Sequence, residues 1–216
     1  MVGASTLGVQ TNVDYFESLY QDAHGDISRV SWADPAPNPA LVTWLNAVAP
    51  SMIRSGARVA CVGCGLGEDA RELMRRGYDV TAFDCSPTAI RWVKQIDQAN
   101  ARCYEQADLF NAPLRWRHRF DLVVEVNTIH ALSPDLHRSA MSAIAGLMSP
   151  HGHLLVICRG VDEQAAIEDG PPWPLSEREL LEAASGADLR PVDTVCKFMD
   201  DEEPPVCRMR ALFKRA

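Results

Sequence analysis

The stretch that most constrains the fold is 58–84, which reads RVACVGCGLGEDARELMRRGYDVTAFD. An apolar, strand-like run leads into three alternate glycines, Gly63, Gly65 and Gly67. Glycine at these places removes the side chains that would keep a ligand away from the backbone. A short amphipathic helix and a second strand follow, and that strand ends on Asp84. The pattern predicts two parallel strands joined by a helix, with an acid beside the glycine turn, where it could accept both hydroxyl protons of a ribose.

This arrangement alone fits several nucleotide-binding α/β folds, and an ordinary tight turn is a further alternative. A nicotinamide or flavin fingerprint reads Gly-x-Gly-x-x-Gly, and its last glycine lets the helix approach the strand. Counted from Gly63, that last place holds Glu68. A carboxylate there would be a poor neighbour for a pyrophosphate, so the spacing disfavours a dinucleotide but leaves an NAD(P)-dependent oxidoreductase as an alternative.

The segment Val59 to Gly67, VACVGCGLG, together with Asp84, resembles the first two motifs of class I S-adenosylmethionine-dependent methyltransferases. The resemblance implies an α/β, Rossmann-like fold with helices on both faces of a seven-stranded, mostly parallel sheet that ends in an antiparallel hairpin. One position departs from the family pattern, because Cys61 stands where the family usually has an acid. This departure leaves Asp84 as the main polar anchor expected for the cofactor.

The resemblance also implies where S-adenosylmethionine binds. The glycine turn should pass under the cofactor, an acid just beyond the third strand should meet the adenine amine, and the end of the fourth strand should face the methionine end. The residues expected to contact the cofactor are Gly63, Cys64, Gly65, Gly67, Asp84, Cys85, Asp108, Leu109 and Glu125.

Two candidate catalytic residues follow the clearest strand of the chain, 120–126 (FDLVVEV). The carboxyl ends of strands form the ligand crevice of an open α/β sheet, and this strand ends near Glu125 and His130. Either side chain could take a proton from an acceptor, since the ordinary pKa of histidine is about 6.5. His130 could equally well cap the next helix.

The substrate side is expected to include three residues, Trp32, Arg159 and Trp173. Arg159 stands at the end of the fifth predicted strand, and Trp173 lies in a segment stiffened by three prolines, 169–175 (DGPPWPL). This proline-rich segment is similar to a stretch that forms a wall of the substrate pocket in thiol and halide methyltransferases. In relatives of the thiopurine and thiol methyltransferase type, an N-terminal segment covers the cofactor, so Trp32 and Tyr15 are candidates for a lid.

The length and the charge of the chain limit its domain organisation and its possible partners. With 216 residues, the chain fits a single domain (1–216), in which 1–12 is expected to be disordered, 13–48 to form lid helices and 58–213 to form the core. The net charge of -8 argues against nucleic acid and anionic membranes as partners. No apolar run approaches a membrane span, no signal peptide is evident, and the seven cysteines favour reduced thiols, so a cytoplasmic protein is expected. No spaced cluster of metal ligands occurs, and no metal is expected.

We therefore expect methyl transfer from S-adenosylmethionine to a small-molecule acceptor by in-line displacement at sulfur, nitrogen or oxygen, with S-adenosylhomocysteine as product. A monomer or homodimer would suffice. Besides the oxidoreductase, one alternative keeps the fold without the reaction: a cofactor-binding protein that does not catalyse, for which Cys61 is the only hint.

Overall fold

A computed structural model describes residues 4–33, 35–162 and 170–216, with side chains from Val13 onward. It is a mixed α/β fold with mostly parallel strands, antiparallel strands at the C-terminal end and helices around them. Residues Met1–Leu114 and Arg115–Ala216 form two compact units. Within the described ranges, no helix has both the length and the apolar character needed to cross a bilayer.

The first unit contains three parallel strands in the order β3-β2-β1. Its helices are α1 (Ala4–Asp22), α2 (Pro39–Ala47), α3 (Ala49–Met52), α4 (Glu68–Arg75) and α5 (Pro87–Ile96), and its strands are β1 (Arg58–Val62), β2 (Asp79–Asp84) and β3 (Tyr104–Gln106). The start of α5 follows the sequence closely, because the Ser86 hydroxyl accepts a hydrogen bond from the Ala89 N–H and Pro87 occupies the first helical position.

The N-terminal segment differs from the expectation. Helical backbone extends over residues 4–12, which the sequence suggested to be disordered, while residues 1–3 lie outside the described residues. Helix α1 thus begins well before Val13, where its aromatic pattern starts. The division of the whole chain into lid and core stays a prediction.

The second unit contains five strands, in the order β4-β5-β8-β6 with β7 also paired to β8. Its strands are β4 (Phe120–Val126), β5 (Met148–Arg159), β6 (Leu189–Pro191), β7 (Cys196–Met199) and β8 (Cys207–Arg215), and its helices are α6 (His137–Leu147) and α7 (Glu177–Gly186). β4 and β5 are parallel, whereas β8 is antiparallel to β5. A capping box between Ser176 and Glu179 closes the start of α7.

The described residues contain eight strands, three in one unit and five in the other, where seven were expected. The difference lies at β8, whose nine residues leave room for two short partners on the edge turned away from β5. β7 pairs with its first part and β6 with its last part. The expected hairpin is therefore present as β7 and β8, and β6 is an additional short strand before it.

Candidate functional site

The glycine turn between β1 and α4 needs its glycines for two physical reasons. Gly63, Gly65 and Gly67 have φ values of 59°, 50° and 83°, a region that other residues rarely adopt. A Cβ on Gly67 would also lie 2.6 Å from a methyl of Val93 and 2.9 Å from the ring of Tyr104. The third glycine therefore permits close packing of α4, while the first two shape the turn.

Asp84 connects this turn to the end of β2. Its Oδ2 accepts a hydrogen bond from the Gly65 N–H at 2.9 Å, and its Oδ1 accepts one from the Ser86 N–H at 2.9 Å. Burial raises the pKa of this carboxyl, while the two N–H donors act in the opposite direction. The Cys85 thiol and N–H also hydrogen-bond to this carboxylate, so four donors of the protein hold it beside the glycine turn. An acid in this place is the one that meets the ribose hydroxyls in nucleotide-binding α/β folds.

The two cysteines beside Asp84, Cys64 and Cys85, lack the lowered pKa that a reactive thiol needs. Burial and the nearby Asp84 raise the pKa of both Cys64 and Cys85 above the ordinary value. Because the thiolate is the reactive form, these thiols stay protonated at neutral pH. Cys64 instead shapes the turn through its backbone, which donates to the carbonyl of Phe83 and accepts from the Gly67 N–H.

Asp108 lies close to the same place, because the Ala107 N–H donates to the Asp84 carbonyl oxygen at 3.0 Å. Its carboxylate caps the short 3₁₀ turn Leu109–Asn111, accepting from the Phe110 N–H at 2.9 Å and from the Asn111 side chain at 2.7 Å. This local bonding accounts for the residue without a ligand. The adenine contact implied for Asp108 and Leu109 stays a prediction.

Helix α1 packs against the glycine turn through Tyr20. This side chain is buried, and its hydroxyl oxygen would lie 3.0 Å from a Cβ placed on Gly65. It accepts a hydrogen bond from the Trp32 indole at 3.0 Å, and the two rings meet edge to face. Trp32 is thereby placed next to the turn, although 41% of it stays exposed. Tyr15, the second lid candidate, contacts Phe16 and is equally exposed.

Helix α1 is also hydrogen-bonded to the start of α5, which the sequence did not predict. Glu17 accepts hydrogen bonds from the Ser86 hydroxyl at 2.6 Å and from the Thr88 hydroxyl and N–H at 2.7 and 3.1 Å. These bonds lower the pKa of Glu17, against the opposing effect of burial. Since Ser86 also donates its N–H to Asp84, one hydrogen-bonded chain runs from α1 to the glycine turn. A glutamate in a predicted amphipathic helix gives no local signal of such a partner 69 residues away.

In the second unit, Glu125 is fully buried near the end of β4. Its Oε1 accepts from the N–H groups of Thr128 and Ile129 at 2.5 and 2.9 Å. Its Oε2 has no hydrogen-bond partner among the described residues. Burial raises the pKa of this carboxyl to about 7, although the two N–H donors oppose the rise. Glu125 thus has a pKa near neutrality, where a carboxyl can exchange protons, and an oxygen without a partner in the described part of the chain.

His130 has a different character from the one expected of a base. Its Nδ1 accepts a hydrogen bond from the Arg159 N–H at 2.8 Å, so the neutral ring carries its proton on Nε2. Burial, together with the positive charges of Arg208 and Arg159, lowers the pKa of His130 to about 3. At neutral pH the side chain is a hydrogen-bond donor, and its geometry argues against proton abstraction.

Two of the predicted substrate-side residues, Arg159 and Trp173, lie beside this histidine. Besides the bond from Arg159, the Trp173 N–H donates to the His130 carbonyl oxygen at 2.6 Å. The proline-rich segment therefore lies against the turn after β4, as a pocket wall would; its first residue, Asp169, lies outside the described residues.

Arg208 joins this group and was not recognised in the sequence. It lies directly opposite Arg159 in the β5–β8 register and is mostly buried. Its guanidinium pairs with Asp200 at 2.6 Å, contacts Glu202, and lies 3.4 Å from the Asn127 amide oxygen. The acidic turn between β7 and β8 therefore neutralises an arginine pair at the strand ends.

The fold and the first unit's site define the class as an α/β protein with a glycine turn and an acid beside it, an arrangement that suits an adenosine-type ligand. A protein-family model described as a methyltransferase domain matches residues 60–156. This match and the fold support a methyltransferase.

Solved structures with the same fold include two methyltransferases. The 1,6-didemethyltoxoflavin-N1-methyltransferase of Burkholderia thailandensis, bound to 1,6-didemethyltoxoflavin and S-adenosylhomocysteine, has a TM-score of 0.75 at 19% identity, covering 100% of this chain and 91% of that one. The magnesium protoporphyrin IX methyltransferase of Synechocystis PCC 6803, bound to S-adenosylhomocysteine, has a TM-score of 0.73 at 13% identity, covering 94% of this chain and 99% of that one.

A third structure, a [4+2]-cyclase, has a TM-score of 0.66 at 13% identity and covers 85% of both chains. At these identities the likeness concerns the fold, and the cyclase illustrates that one fold hosts different reactions. The search of curated proteins gave no match. The thiopurine and thiol subtype stays a prediction.

Proposed function

We propose that this protein transfers a methyl group from S-adenosylmethionine to a small-molecule acceptor by in-line displacement. The observation that carries the proposal is the Asp84 carboxylate, which the Gly65 and Ser86 N–H groups hold beside the glycine turn. A small acceptor is supported by the net charge of -8, which opposes polyanionic substrates, and by neighbours that act on a toxoflavin precursor and on a magnesium porphyrin.

The proposed roles differ between the residues of the first unit and those of the second. The glycine turn and Asp84 would hold the adenosine part, with Asp108 and Leu109 toward the adenine. When bound, the cofactor supplies an electrophilic methyl group on a sulfonium. The protein's task is alignment and exclusion of water, which can contribute about 7 to 11 kcal/mol to the lowering of a barrier.

Proton removal from the acceptor is assigned to Glu125 rather than to His130. The Oε2 of Glu125 is uncommitted and its pKa is about 7, whereas His130 is neutral with its acceptor nitrogen already bonded. His130, Arg159 and Trp173 would instead line the acceptor side, with Trp32 in the lid. An N–H or O–H acceptor needs such a base, while a thiol of the predicted subtype could react as its thiolate. Methyl transfer should therefore be measured with three kinds of acceptor: heterocyclic N–H compounds, hydroxyl compounds and thiols.

Ligand-dependent unfolding tests the cofactor assignment. At about 100 times its dissociation constant, S-adenosylhomocysteine should add roughly 2.7 kcal/mol to the folded state and raise the midpoint by about 5 to 11 °C. S-adenosylmethionine should act similarly and NAD(H) should have no effect. A rise with NAD(H) alone would restore the oxidoreductase alternative, and stabilisation by both sulfur compounds without turnover of any acceptor would favour the non-catalytic one.

The lid assignment has its own test in Glu17. Glu17→Gln removes the charge that receives the Ser86 and Thr88 hydroxyls, and charge-assisted bonds are about twice as strong as neutral ones. We expect roughly tenfold weaker binding of S-adenosylhomocysteine by calorimetry, and less protection of α1 amides against hydrogen exchange in the complex. Asp22→Asn, an exposed acid at the end of the same helix, is the control and should change neither. Equal effects of the two variants would show that Glu17 has no specific role in holding the lid.

The single-domain organisation, the monomeric or homodimeric state and the cytoplasmic location stay predictions from the sequence.

A further inference from the structure

A row of basic side chains crosses three neighbouring strands of the second unit, far from the site described above. In the strand register, Lys214 of β8 lies directly opposite His153 of β5 on one side and Arg190 of β6 on the other. Residues directly opposite each other point to the same face of a sheet, so the like charges of Lys214 and Arg190 are destabilising, while His153 adds a neutral imidazole. A row of this kind has a cost that the fold itself does not require.

The row also lacks a counter-charge. Across the part of the chain that the structure describes, no carboxylate forms an ion pair with Lys214 or Arg190 within 4.0 Å, whereas Arg208 on the same strand pairs with two acids. The neighbouring Arg215 donates to the carbonyl oxygens of Ala145 and Met148, which are neutral acceptors, so its charge is not compensated there. Uncompensated cations are unexpected in a chain with a net charge of -8.

These side chains surround a concavity of about 290 Å³. Its lining consists of Pro150, His151, Gly152, His153, Arg190, Lys214 and Arg215, and this set contains no carboxylate side chain. Gly152 sits at its base, where a Cβ would lie 2.6 Å from the Phe120 carbonyl oxygen, so the backbone is close-packed beneath the basic groups.

We propose that this concavity binds a phosphate-class dianion, as free phosphate or as the phosphate group of a small ester. The ammonium of Lys214 and the guanidinium of Arg190 supply opposite charge, and the imidazoles of His151 and His153 can each donate one N–H. Several oxygens on one small centre can accept from such converging donors at once, which a single carboxylate does less completely. The overall negative charge of the chain disfavours a long polyanion as the occupant.

The site is separate from the proposed methyl-transfer site. His153 and Arg159 lie six positions apart on β5, which corresponds to about 20 Å along an extended strand. Burial and the positive charge of Lys214 lower the pKa of His153, in keeping with a cation-rich environment. A bound dianion would offset the mutual repulsion of the row and so stabilise the folded protein.

The test uses the full chain and isothermal titration with inorganic phosphate and with glucose 6-phosphate at low ionic strength. We expect binding in the submillimolar range, weakened at least tenfold in the double variant Arg190→Gln/Lys214→Gln. The control, Arg178→Gln/Lys197→Gln, removes two cations from the same unit that are paired with Glu182 and Glu177, and it should bind within twofold of the original protein. Tighter binding of the ester than of phosphate would identify an ester as the preferred ligand, and the reverse would identify the free ion.

Two results would overturn the proposal. One is the absence of binding of either probe at 10 mM by a folded protein, and the other is an equal loss of binding in the two double variants, which would indicate a general charge effect. Nuclear magnetic resonance adds an independent readout, because the imidazole signals of His151 and His153 should shift on addition of phosphate while that of His137 should not. Binding of S-adenosylhomocysteine should be the same in both double variants, so the outcome is independent of the proposed methyl transfer.

Discussion

Asp84→Asn is expected to weaken binding of S-adenosylhomocysteine about 100-fold, or by about 3 kcal/mol. The substitution removes the charge and replaces one acceptor oxygen with an N–H₂ group, so one ribose hydroxyl would meet a donor instead of an acceptor. Titration calorimetry measures the affinity directly. Activity with any acceptor should fall in parallel at subsaturating cofactor.

The control for this variant is Asp79→Asn, at the exposed beginning of the same strand. It removes the same charge from β2 without touching the glycine turn, and its affinity should stay within twofold of the original. Because Asp84 also accepts from Gly65 and Ser86, the apo variant must be shown to unfold cooperatively before its affinity is interpreted. A folded Asp84→Asn variant with unchanged affinity would show that the cofactor is anchored elsewhere.

Glu125→Gln is expected to make the apo protein more stable at alkaline pH. The folded pKa of Glu125 is raised to about 7 from an ordinary 4.5, so the folded state binds its proton more tightly than the unfolded state does. This contribution is fully present below about pH 4.5 and is lost as the pH rises through 7. At pH 8 the ionised carboxylate would lower the free energy of unfolding by roughly 3 kcal/mol. Glutamine has no charge to bury and avoids this loss.

Thermal unfolding across pH measures this effect. The variant should unfold about 6 to 12 °C higher than the original protein at pH 8, and at nearly the same temperature at pH 4.5. Glu203→Gln, in the exposed turn before β8, is the control and should show no pH-dependent difference. A stability difference that does not vary with pH would mean that Oε2 has a partner in solution.

The same carboxyl should appear in the kinetics. With an N–H or O–H acceptor, kcat/KM should rise as the pH passes through about 7 and then level off, because the ionised form is the proton acceptor. Glu125→Gln should lose most of the activity while retaining cofactor affinity. A His130→Gln variant that lost the same pH dependence would return the role of base to that histidine.

Much of the first unit could be predicted from the sequence because its signals are local. Alternate glycines, a helix with an acidic start and an acid one strand later all lie within 58–84, and each depends on backbone geometry over a few residues. The cap at Ser86 and the capping box at Ser176 follow from the same short-range hydrogen bonding. The fold class and the cofactor follow from these elements.

The tertiary structure alone decided the features that depend on distant partners. The amphipathic pattern of α1 indicates which face is buried, but not that Glu17 meets Ser86. The pattern of β8 predicts a strand, but not that β6 and β7 divide its outer edge, nor that Lys214 would lie between two basic neighbours.

The electrostatic character of the site residues was also fixed only by folding. A sequence shows that His130 and Glu125 are ionisable, but their pKa values in the folded protein depend on burial and on the charges and hydrogen-bond donors around them. The Arg159 N–H makes the neutral His130 a donor, while the Glu125 Oε2 has no hydrogen-bond partner among the described residues. The sequence by itself thus determined the glycine turn to which we assign the cofactor, because its signals are local, and the long-range path of the chain determined the surroundings of the two ionisable side chains.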